Sequence, residues 1–279
     1  MSGFSAEWLA LREPVDHRSV SPLVRDAARK WIGARKQIDV IDLGCGSGSN
    51  LRGLAPYLPS AQRWRLVDWD QALLDHARTA IAEWADRSED AANSLALRSA
   101  GKEIDVAFEQ ADLMKDYAQV LDKPAGLVTA AAFFDLVSSQ WIADFCAALA
   151  KRRLPLYTVL TYNGEEDWTP PHELDAAVLA AFHRHQQGDK GFGPAAGPGA
   201  VEALRQTLEA EGYTVITDAS PWHMDRGDAR LIEALAVGTA QAAVETGQVS
   251  EGAAAEWLAA RRYADTCRIG HVDLFAYPS

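Results

Sequence analysis

The sequence has few cysteines and no excess of positive charge, and both absences narrow the possible functions. The three cysteines, Cys45, Cys146 and Cys267, stand far apart and form no Cys-x-x-Cys pair. This set predicts neither a disulfide framework nor a zinc knuckle, and it favours a reducing compartment. The formal charge of −12, from 27 basic and 39 acidic residues, disfavours nucleic acid and anionic membrane surfaces as partners.

Long apolar runs and targeting signals are also missing. No run approaches the roughly 20 residues of a membrane-spanning helix. The segment from Met1 to Ala10 lacks the basic and apolar regions of a signal peptide. No His, Asp and Glu residues have the spacing of metal ligands, so we expect no bound metal. These absences favour a cytoplasmic protein that acts away from membranes.

The chain does contain an alternation of short apolar strands and amphipathic helices. Strands are predicted at 38–43, 64–67, 104–108, 126–132, 154–161, 214–218 and 268–277. Helices are predicted at 5–12, 21–33, 49–56, 70–87, 138–150, 172–187, 200–211 and within 228–264. Residues 94–98 form a hairpin with 104–108. The alternation predicts an α/β fold with a doubly wound, mostly parallel sheet.

We expect one domain over residues 1–279, because the sequence shows neither an internal repeat nor a low-complexity linker. Three additions to the sheet are predicted. Residues 1–36 form an N-terminal helical cap, 163–199 form a lid-like insertion, and 224–265 form a helical insertion before the last strand.

The most informative segment is Val40-Ile41-Asp42-Leu43-Gly44-Cys45-Gly46-Ser47-Gly48-Ser49-Asn50. A buried strand with an acid near its end is followed by glycines at every second position and then by a helix. Such a turn lets a nucleoside cofactor lie against the backbone. A dinucleotide fingerprint would need its third glycine at Ser49, and Asp42 would oppose a pyrophosphate. A cofactor with sulfonium and ammonium groups suits this acid better, so a nicotinamide dehydrogenase is disfavoured.

Two further strand ends carry acids. Asp68 follows the turn by about 20 residues, where an acid accepts hydrogen bonds from both ribose hydroxyls. Trp69 is placed to cover an adenine face. Asp112 follows the third strand, where its carboxylate can accept from the adenine amino group while the backbone N–H of a neighbour such as Leu113 reads a ring nitrogen.

With these three segments in order, the chain resembles the class I S-adenosylmethionine-dependent methyltransferases. Residues 40–48 match their first motif, 65–70 their second and 111–113 their third, and the resemblance covers 38–162. It implies a seven-stranded Rossmann-like sheet with an antiparallel last strand, S-adenosylmethionine as cofactor and S-adenosylhomocysteine as product. The candidate cofactor residues are Asp42, Gly44, Gly46, Gly48, Asn50, Asp68, Trp69, Asp112 and Leu113, with Arg18 pairing either with the methionine carboxylate or in a surface ion pair.

The acceptor side is less constrained by the sequence. Nucleic-acid amino methyltransferases often carry Asn/Asp-Pro-Pro-Tyr/Phe after the fourth strand, where this chain has Ala132-Phe133-Phe134-Asp135. Its absence disfavours that substrate class. The candidate acceptor-binding residues are Phe133, Phe134, Tyr162, Asn163 and Trp168. Packing is the alternative role of Phe133, Phe134 and Trp168. Tyr162 and Asn163 are predicted at the end of the fifth strand, and Trp168 beside a turn.

The insertion offers a candidate base and a candidate lid. His185 shares an apolar helix face with Val178 and Phe182, and acts either as a base in the pocket or as a partnered histidine at a helix interface. Lys190 and residues 191–193 form a lid edge or an ordinary loop.

We therefore expect a methyltransferase that transfers a methyl group to a small-molecule acceptor by in-line displacement. Two alternatives stay open, a protein methyltransferase and an S-adenosylmethionine-binding protein without catalysis.

Overall fold

A single large sheet organises the chain. The computed structural model describes residues 4–91, 94–188 and 191–279, so Lys190 lies outside the described residues. The strands are β1 Gln37–Leu43, β2 Ala61–Asp68, β3 Arg87–Ala91, β4 Ser94–Ser99, β5 Lys102–Gln110, β6 Leu127–Ala131, β7 Leu156–Thr169, β8 Tyr213–Ala219, β9 Trp222–Asp225 and β10 Thr266–Pro278.

Ten α-helices are described alongside the strands. They are α1 Ala6–Ser19, α2 Pro22–Ile32, α3 Ser49–Leu54, α4 Gln71–Trp84, α5 Leu113–Leu121, α6 Ser139–Lys151, α7 Asp175–Gln186, α8 Ala200–Ala210, α9 Ala229–Glu245 and α10 Glu251–Arg261. Side chains that accept a backbone N–H cap several of them, which fixes where each helix begins. These caps include Ser5, Ser21, Asp70, Asp112, Ser138 and Ser250.

The strand order is β3-β4-β5-β2-β1-β6-β7-β10-β8, with β9 pairing to β10. The strands β5, β2, β1, β6 and β7 are mutually parallel, whereas β10 runs antiparallel to both β7 and β8. The predicted fold class is therefore confirmed, including the antiparallel last strand. The reversal of strand order at β1 and β6 opens a crevice at the carboxyl ends of these strands, where ligands bind in open α/β sheets.

Two hydrophobic cores cover the two faces of the sheet. On one face, apolar residues of α2, α3 and α4 pack against side chains such as Val40 and Trp64. On the other face, α5, α6 and α8 pack against residues such as Ile41 and Leu43. Burial of both faces explains why the central strands read as nearly continuous apolar runs.

Several boundaries differ from the sequence prediction. The helix predicted to end near residue 12 continues to Ser19, through Pro14. The helix predicted to reach residue 87 ends at Trp84, and Arg87–Ala91 forms an edge strand on β4. Every residue of that strand is exposed, so it has no hydrophobic alternation that a sequence pattern could reveal.

The strand predicted to end at residue 161 continues to Thr169, because it pairs with β10 as far as Thr266. The residues beyond 162 are polar and are predicted as the start of the insertion, yet several of them pair with β10 over a long range. Trp222 and His223 belong to β9, which also pairs with β10.

The helical additions are joined to each other by Arg261. This side chain is buried, donates through Nε and Nη2 to Asp175 at 2.9 and 2.8 Å, and through Nη1 to the Pro170 carbonyl at 2.5 Å. Trp257 donates to the same Asp175 at 2.8 Å. The start of α7 is thereby fixed to α10. Within the described residues, no helix combines the length and apolarity needed to cross a membrane.

Arg261→Ala is expected to lower the free energy of unfolding by about 2–4 kcal/mol, because it removes a buried cation from Asp175 and Pro170. Urea denaturation would measure the change. The matched control is Arg262→Ala, since Arg262 is exposed and pairs with Glu233 at 3.2 Å. The control is expected to cost less than about 1 kcal/mol. Equal losses in the two variants would contradict a role for Arg261 in fixing α7.

Candidate functional site

The turn between β1 and α3 has a backbone shape that requires glycine. Gly44, Gly46 and Gly48 have φ angles of +61°, +52° and +74°, in the left-handed region. A Cβ at Gly44 would lie 2.7 Å from Phe133 Cδ2, and one at Gly48 would lie 2.7 Å from a methyl carbon of Ile81. The turn is therefore both left-handed and tightly covered, as the glycine spacing predicts.

Asp42 lies fully buried beneath this turn. Its Oδ1 accepts a hydrogen bond from Asn50 Nδ2 at 2.7 Å, and the same amide donates to Thr129 Oγ1 at 3.0 Å. Asp42 Oδ2 has no hydrogen-bond partner in the described part of the chain. Burial raises the pKa of Asp42 to about 7. The hydrogen bond from Asn50 lowers this pKa, and the negative charge of Asp68 raises it further. An unpartnered carboxylate oxygen at this depth favours a ligand with a donor or a positive charge.

Asp68 fastens the turn to the end of β2. Its Oδ2 accepts from the Gly46 N–H at 2.8 Å, and its Oδ1 accepts from the Asp70 N–H at 3.0 Å. Burial raises its pKa, and these backbone hydrogen bonds oppose that shift. Each carboxylate oxygen keeps a lone pair for a further donor. The next residue, Trp69, is 45% exposed, so its ring is available to a ligand.

Asp112 has a shared role at the third strand end. It caps α5 by accepting from the Met114 N–H at 3.0 Å, and its other oxygen pairs with Lys115 at 3.0 Å. Leu113 is buried beside it, and the Leu113 carbonyl accepts from Trp141 Nε1 at 3.0 Å. Local contacts thus orient this carboxylate at the edge of the crevice.

These residues meet in one cavity of about 940 Å³. Eight of the ten candidate cofactor residues line it: Asp42, Gly44, Gly46, Asn50, Asp68, Trp69, Asp112 and Leu113. Gly48 is not among the lining residues and precedes the first residue of α3. Arg18 lies outside the lining, where its guanidinium forms an ion pair with Asp228 and donates to the His223 carbonyl at 3.2 Å. The surface ion-pair alternative for Arg18 therefore describes its contacts.

The candidate acceptor residues divide into two groups. Phe133 and His185 line the cavity, but the other four do not. Phe134 is fully buried against Phe145, with ring centroids 5.5 Å apart. Trp168 packs on Trp257, with centroids 5.6 Å apart.

Tyr162 and Asn163 also make contacts away from the cavity. The Tyr162 hydroxyl donates to Glu166 at 3.0 Å, and Asn163 Oδ1 accepts from the Glu165 N–H at 3.0 Å. The continuation of β7 to Thr169 explains this arrangement, since Tyr162 and Asn163 lie within the strand rather than at its end.

The insertion forms one wall of the cavity. Phe182, His185, Gln186, Gly191 and Phe192 line it. The Phe192 ring lies 6.1 Å from that of Phe133, which places the loop over the glycine turn. His185 Nε2 lies 2.9 Å from Glu245 Oε2 on α9. His185 thus has a protein partner at the rim of the cavity.

The sequence prediction missed the charged pairs that α1 contributes. Arg12 donates to both oxygens of Asp16 at 2.8 and 3.2 Å, and Arg52 donates through Nε to Glu13 at 2.7 Å. Arg12, Asp16 and Arg52 line the cavity. The i,i+4 spacing of Arg12 and Asp16 was a usable signal, but it needed α1 to extend past residue 12.

A second polar group lies just behind Arg12. The Arg12 guanidinium lies 5.0 Å from the centroid of the Trp222 ring, which is 4.9 Å from that of His271. Trp222 Nε1, His271 Nδ1 and Asp135 Oδ1 are buried without hydrogen-bond partners in the described residues. Burial raises the pKa of Asp135 to about 6 and lowers that of His271 to about 3. His271 is therefore neutral at physiological pH.

Among the described residues, no group of three or more His, Cys, Asp and Glu side chains is arranged to hold a metal ion. Cys45 lines the cavity, and burial together with the charges of Asp68 and Asp42 raises its pKa well above the usual range. The Cys45 thiol is therefore protonated and a poor nucleophile.

Comparison with known proteins gave similarities of fold only. No family model matches the sequence, and no curated protein matches it. Among solved structures, the chain is similar to an S-adenosylmethionine-dependent methyltransferase from Geobacter sulfurreducens in complex with S-adenosyl-L-homocysteine (17% identity, 100% of each chain covered, TM-score 0.48). It is also similar to an S-adenosylmethionine-dependent methyltransferase from Thiobacillus denitrificans, likewise in complex with S-adenosyl-L-homocysteine (15% identity, 98% of each chain covered, TM-score 0.43). A third is the cyclopropane synthase MmaA2 from Mycobacterium tuberculosis (14%, 89% of this chain and 82% of that one, 0.46).

The raised pKa of Asp42 predicts an inverted dependence of stability on pH. An unfolded aspartate has a pKa near 3.9, whereas that of Asp42 in the folded chain is about 7. Between these values the folded state binds more protons, so the free energy of unfolding of the ligand-free protein falls as pH rises from about 4 to 7. Asp135 and Asp273, both with pKa values raised to about 6, act in the same direction.

Asp42→Asn stays neutral and is expected to weaken this slope. Relative to the unchanged protein, the variant should gain about 1–3 kcal/mol between pH 4.5 and 8. Urea denaturation across this pH range measures the difference. Asp75→Asn is the control, because Asp75 is exposed on α4. A pH profile for Asp42→Asn parallel to that of the unchanged protein would refute a buried, protonated Asp42.

Proposed function

We propose that this protein is an S-adenosylmethionine-dependent methyltransferase that acts on a small-molecule acceptor. The observation that carries the proposal is the convergence of the glycine turn, Asp42, Asp68 and Asp112 on one cavity. At the bottom of the cavity, one carboxylate oxygen of Asp42 has no hydrogen-bond partner in the described residues. Among the described cations, only Lys115 forms an ion pair with any of these three acids, and its partner is Asp112. This charge distribution suits a cationic cofactor and opposes a pyrophosphate.

The residues fit the cofactor group by group. Asp68 would accept from the ribose hydroxyls, and Trp69 would lie against the adenine. Asp112 and the Leu113 backbone would contact the adenine edge. Asp42, ordered by Asn50, would accept from the ammonium group of the methionine portion. S-adenosylmethionine supplies, when bound, a methyl group activated by its sulfonium.

The rest of the chain has three tasks in this proposal. The insertion would exclude water, since Phe182 and Phe192 wall the cavity from that side. The N-terminal helix would orient the acceptor, because Arg12 and Asp16 face the same space. Any proton released by the acceptor needs a base at the rim. His185 is our candidate for that base; it lines the cavity and is held by Glu245.

Asp68→Ala is expected to weaken S-adenosylhomocysteine binding by about 1–3 kcal/mol, because two ribose hydroxyls lose an acceptor. Calorimetric titration measures this loss. The variant should also bind 5′-methylthioadenosine more weakly by the same amount, since that ligand has the same ribose. Asp75→Ala, on the exposed face of α4, is the control and should bind both ligands normally. Unchanged affinity of Asp68→Ala for S-adenosylhomocysteine would contradict the proposal that the ribose binds at Asp68.

Asp42→Asn makes the complementary prediction. At pH 8 the variant should bind S-adenosylhomocysteine about tenfold or more weakly, whereas its affinity for 5′-methylthioadenosine should not change. Only S-adenosylhomocysteine has an ammonium group. Both affinities come from the same titrations. A loss that affects both ligands equally would indicate that Asp42 supports the turn rather than the methionine portion.

Turnover is tested with S-adenosylmethionine carrying a labelled methyl group and a cell extract separated by size. Label in the small-molecule fraction is the expected result, and it should be reduced with Asp68→Ala. Label only in macromolecules would favour a protein acceptor. Cofactor binding without transfer to any fraction would favour a binding protein without catalysis.

A further inference from the structure

The cavity continues well beyond the residues proposed for the cofactor. Its volume of about 940 Å³ lies near the top of the range of roughly 300–1,000 Å³ for ligand pockets. The continuation, here named the β7 arm, runs between α2, the segment after α3, and β7. It is lined by Val20, Arg25, Leu54, Pro56, Tyr57, Tyr157 and Val159.

The strand register gives the position of this arm. Asp42 is the register partner of Thr129, and Thr129 is that of Tyr157, so the three residues lie side by side on one face of the sheet. Adjacent strands are about 4.8 Å apart, which puts Tyr157 roughly 10 Å from Asp42. The β7 arm therefore starts beside the proposed site of the methionine portion and leads away from Asp68.

The walls of the arm are mostly apolar, but Arg25 brings a cation into it. The Arg25 guanidinium lies 4.0 Å from the centroid of the Tyr57 ring. Its Nε is buried and has no hydrogen-bond partner in the described part of the chain. The nearest carboxylate, Asp26, is 3.9 Å from Nε, is exposed, and accepts from Arg29 at 3.1 Å.

Arg25 differs in this respect from the other two arginines of the cavity lining, Arg12 and Arg52. Arg12 is held by Asp16 and Arg52 by Glu13. Each of these two has a hydrogen-bonded carboxylate of its own. The guanidinium of Arg25 instead keeps its planar array of donors for a ligand.

Tyr157 supplies a neutral donor next to Arg25. Its side chain is buried and lines the arm, and no hydrogen bond of its hydroxyl occurs within the described residues. Burial raises the pKa of Tyr157 above the usual value of a tyrosine, and the positive charge of the nearby Arg25 opposes this shift. The hydroxyl is therefore protonated and able to donate. A cation and a neutral donor in an apolar channel match an oxyanion on an apolar body.

We propose that the β7 arm binds a carboxylate carried by an apolar acceptor, with Arg25 and Tyr157 as its donors. This assignment rests on the proposed function, because it names the acceptor class of the same cavity. The carboxylate-rich turn attracts the positive charge of the cofactor, whereas the arm attracts the negative charge of the acceptor. The two ligands are thereby directed to opposite ends of one cavity.

The test compares 2-naphthoate with neutral 2-naphthamide, two flat probes of the same size. Titration at pH 8 into protein saturated with S-adenosylhomocysteine should show 2-naphthoate binding at least about tenfold more tightly. Arg25→Gln should remove this preference, and Tyr157→Phe should reduce it severalfold. Arg29→Gln is the matched control, since Arg29 lies on the same helix but outside the cavity lining, and it should keep the full preference.

Equal affinity of the unchanged protein for the two probes would overturn the proposal, as would a preference that survives Arg25→Gln. A third outcome assigns the same carboxylate chemistry to the cofactor. If Arg25→Gln weakens S-adenosylhomocysteine but not 5′-methylthioadenosine, Arg25 holds the methionine carboxylate and the acceptor assignment is wrong. Failure of the unchanged protein to bind S-adenosylhomocysteine would instead refute the proposed function, and the probe comparison without that ligand would still test the arm.

Discussion

The geometry of the site depends on the hydrogen bond from the Gly46 N–H to Asp68. It ties the turn after β1 to the end of β2, across the left-handed glycines that make the turn possible. The Phe133 ring against Gly44 and Ile81 against Gly48 hold the turn from above and below. Because these contacts leave no room for a Cβ, the backbone itself forms the floor of the cavity.

The electrostatic character of the cavity follows from this arrangement. Asp42 and Asp68 approach each other beneath the turn, and burial raises the pKa of both. Neither has a cation of its own among the described ion pairs. In the ligand-free protein, the burial of these two carboxylates therefore remains energetically unfavourable, and a positively charged ligand would stabilise them. This is the physical basis of the proposed cofactor specificity.

The other half of the cavity is built by elements outside the parallel sheet. Helix α1 contributes Arg12 and Asp16, helix α2 contributes Arg25, and the insertion contributes Phe182 and Phe192. Arg261 fixes the start of α7, within this insertion, to α10. In the proposed function the sheet would therefore provide the nucleoside site, whereas the additions would set the size and charge of the acceptor space.

The local sequence determined the residues of the proposed cofactor site. Gly44, Asp42, Asp68 and Asp112 each end or follow a strand that its own segment predicts, so each could be named without knowledge of the packing. The tertiary structure decided which residues line the rest of the cavity. Tyr162 and Asn163 were predicted at a strand end and Trp168 beside a turn, but long-range pairing with β10 extends the strand to Thr169, and none of the three lines the cavity. Arg25 and Tyr157 are 132 positions apart (157 minus 25), and only the packing of α2 on the sheet brings them to one arm.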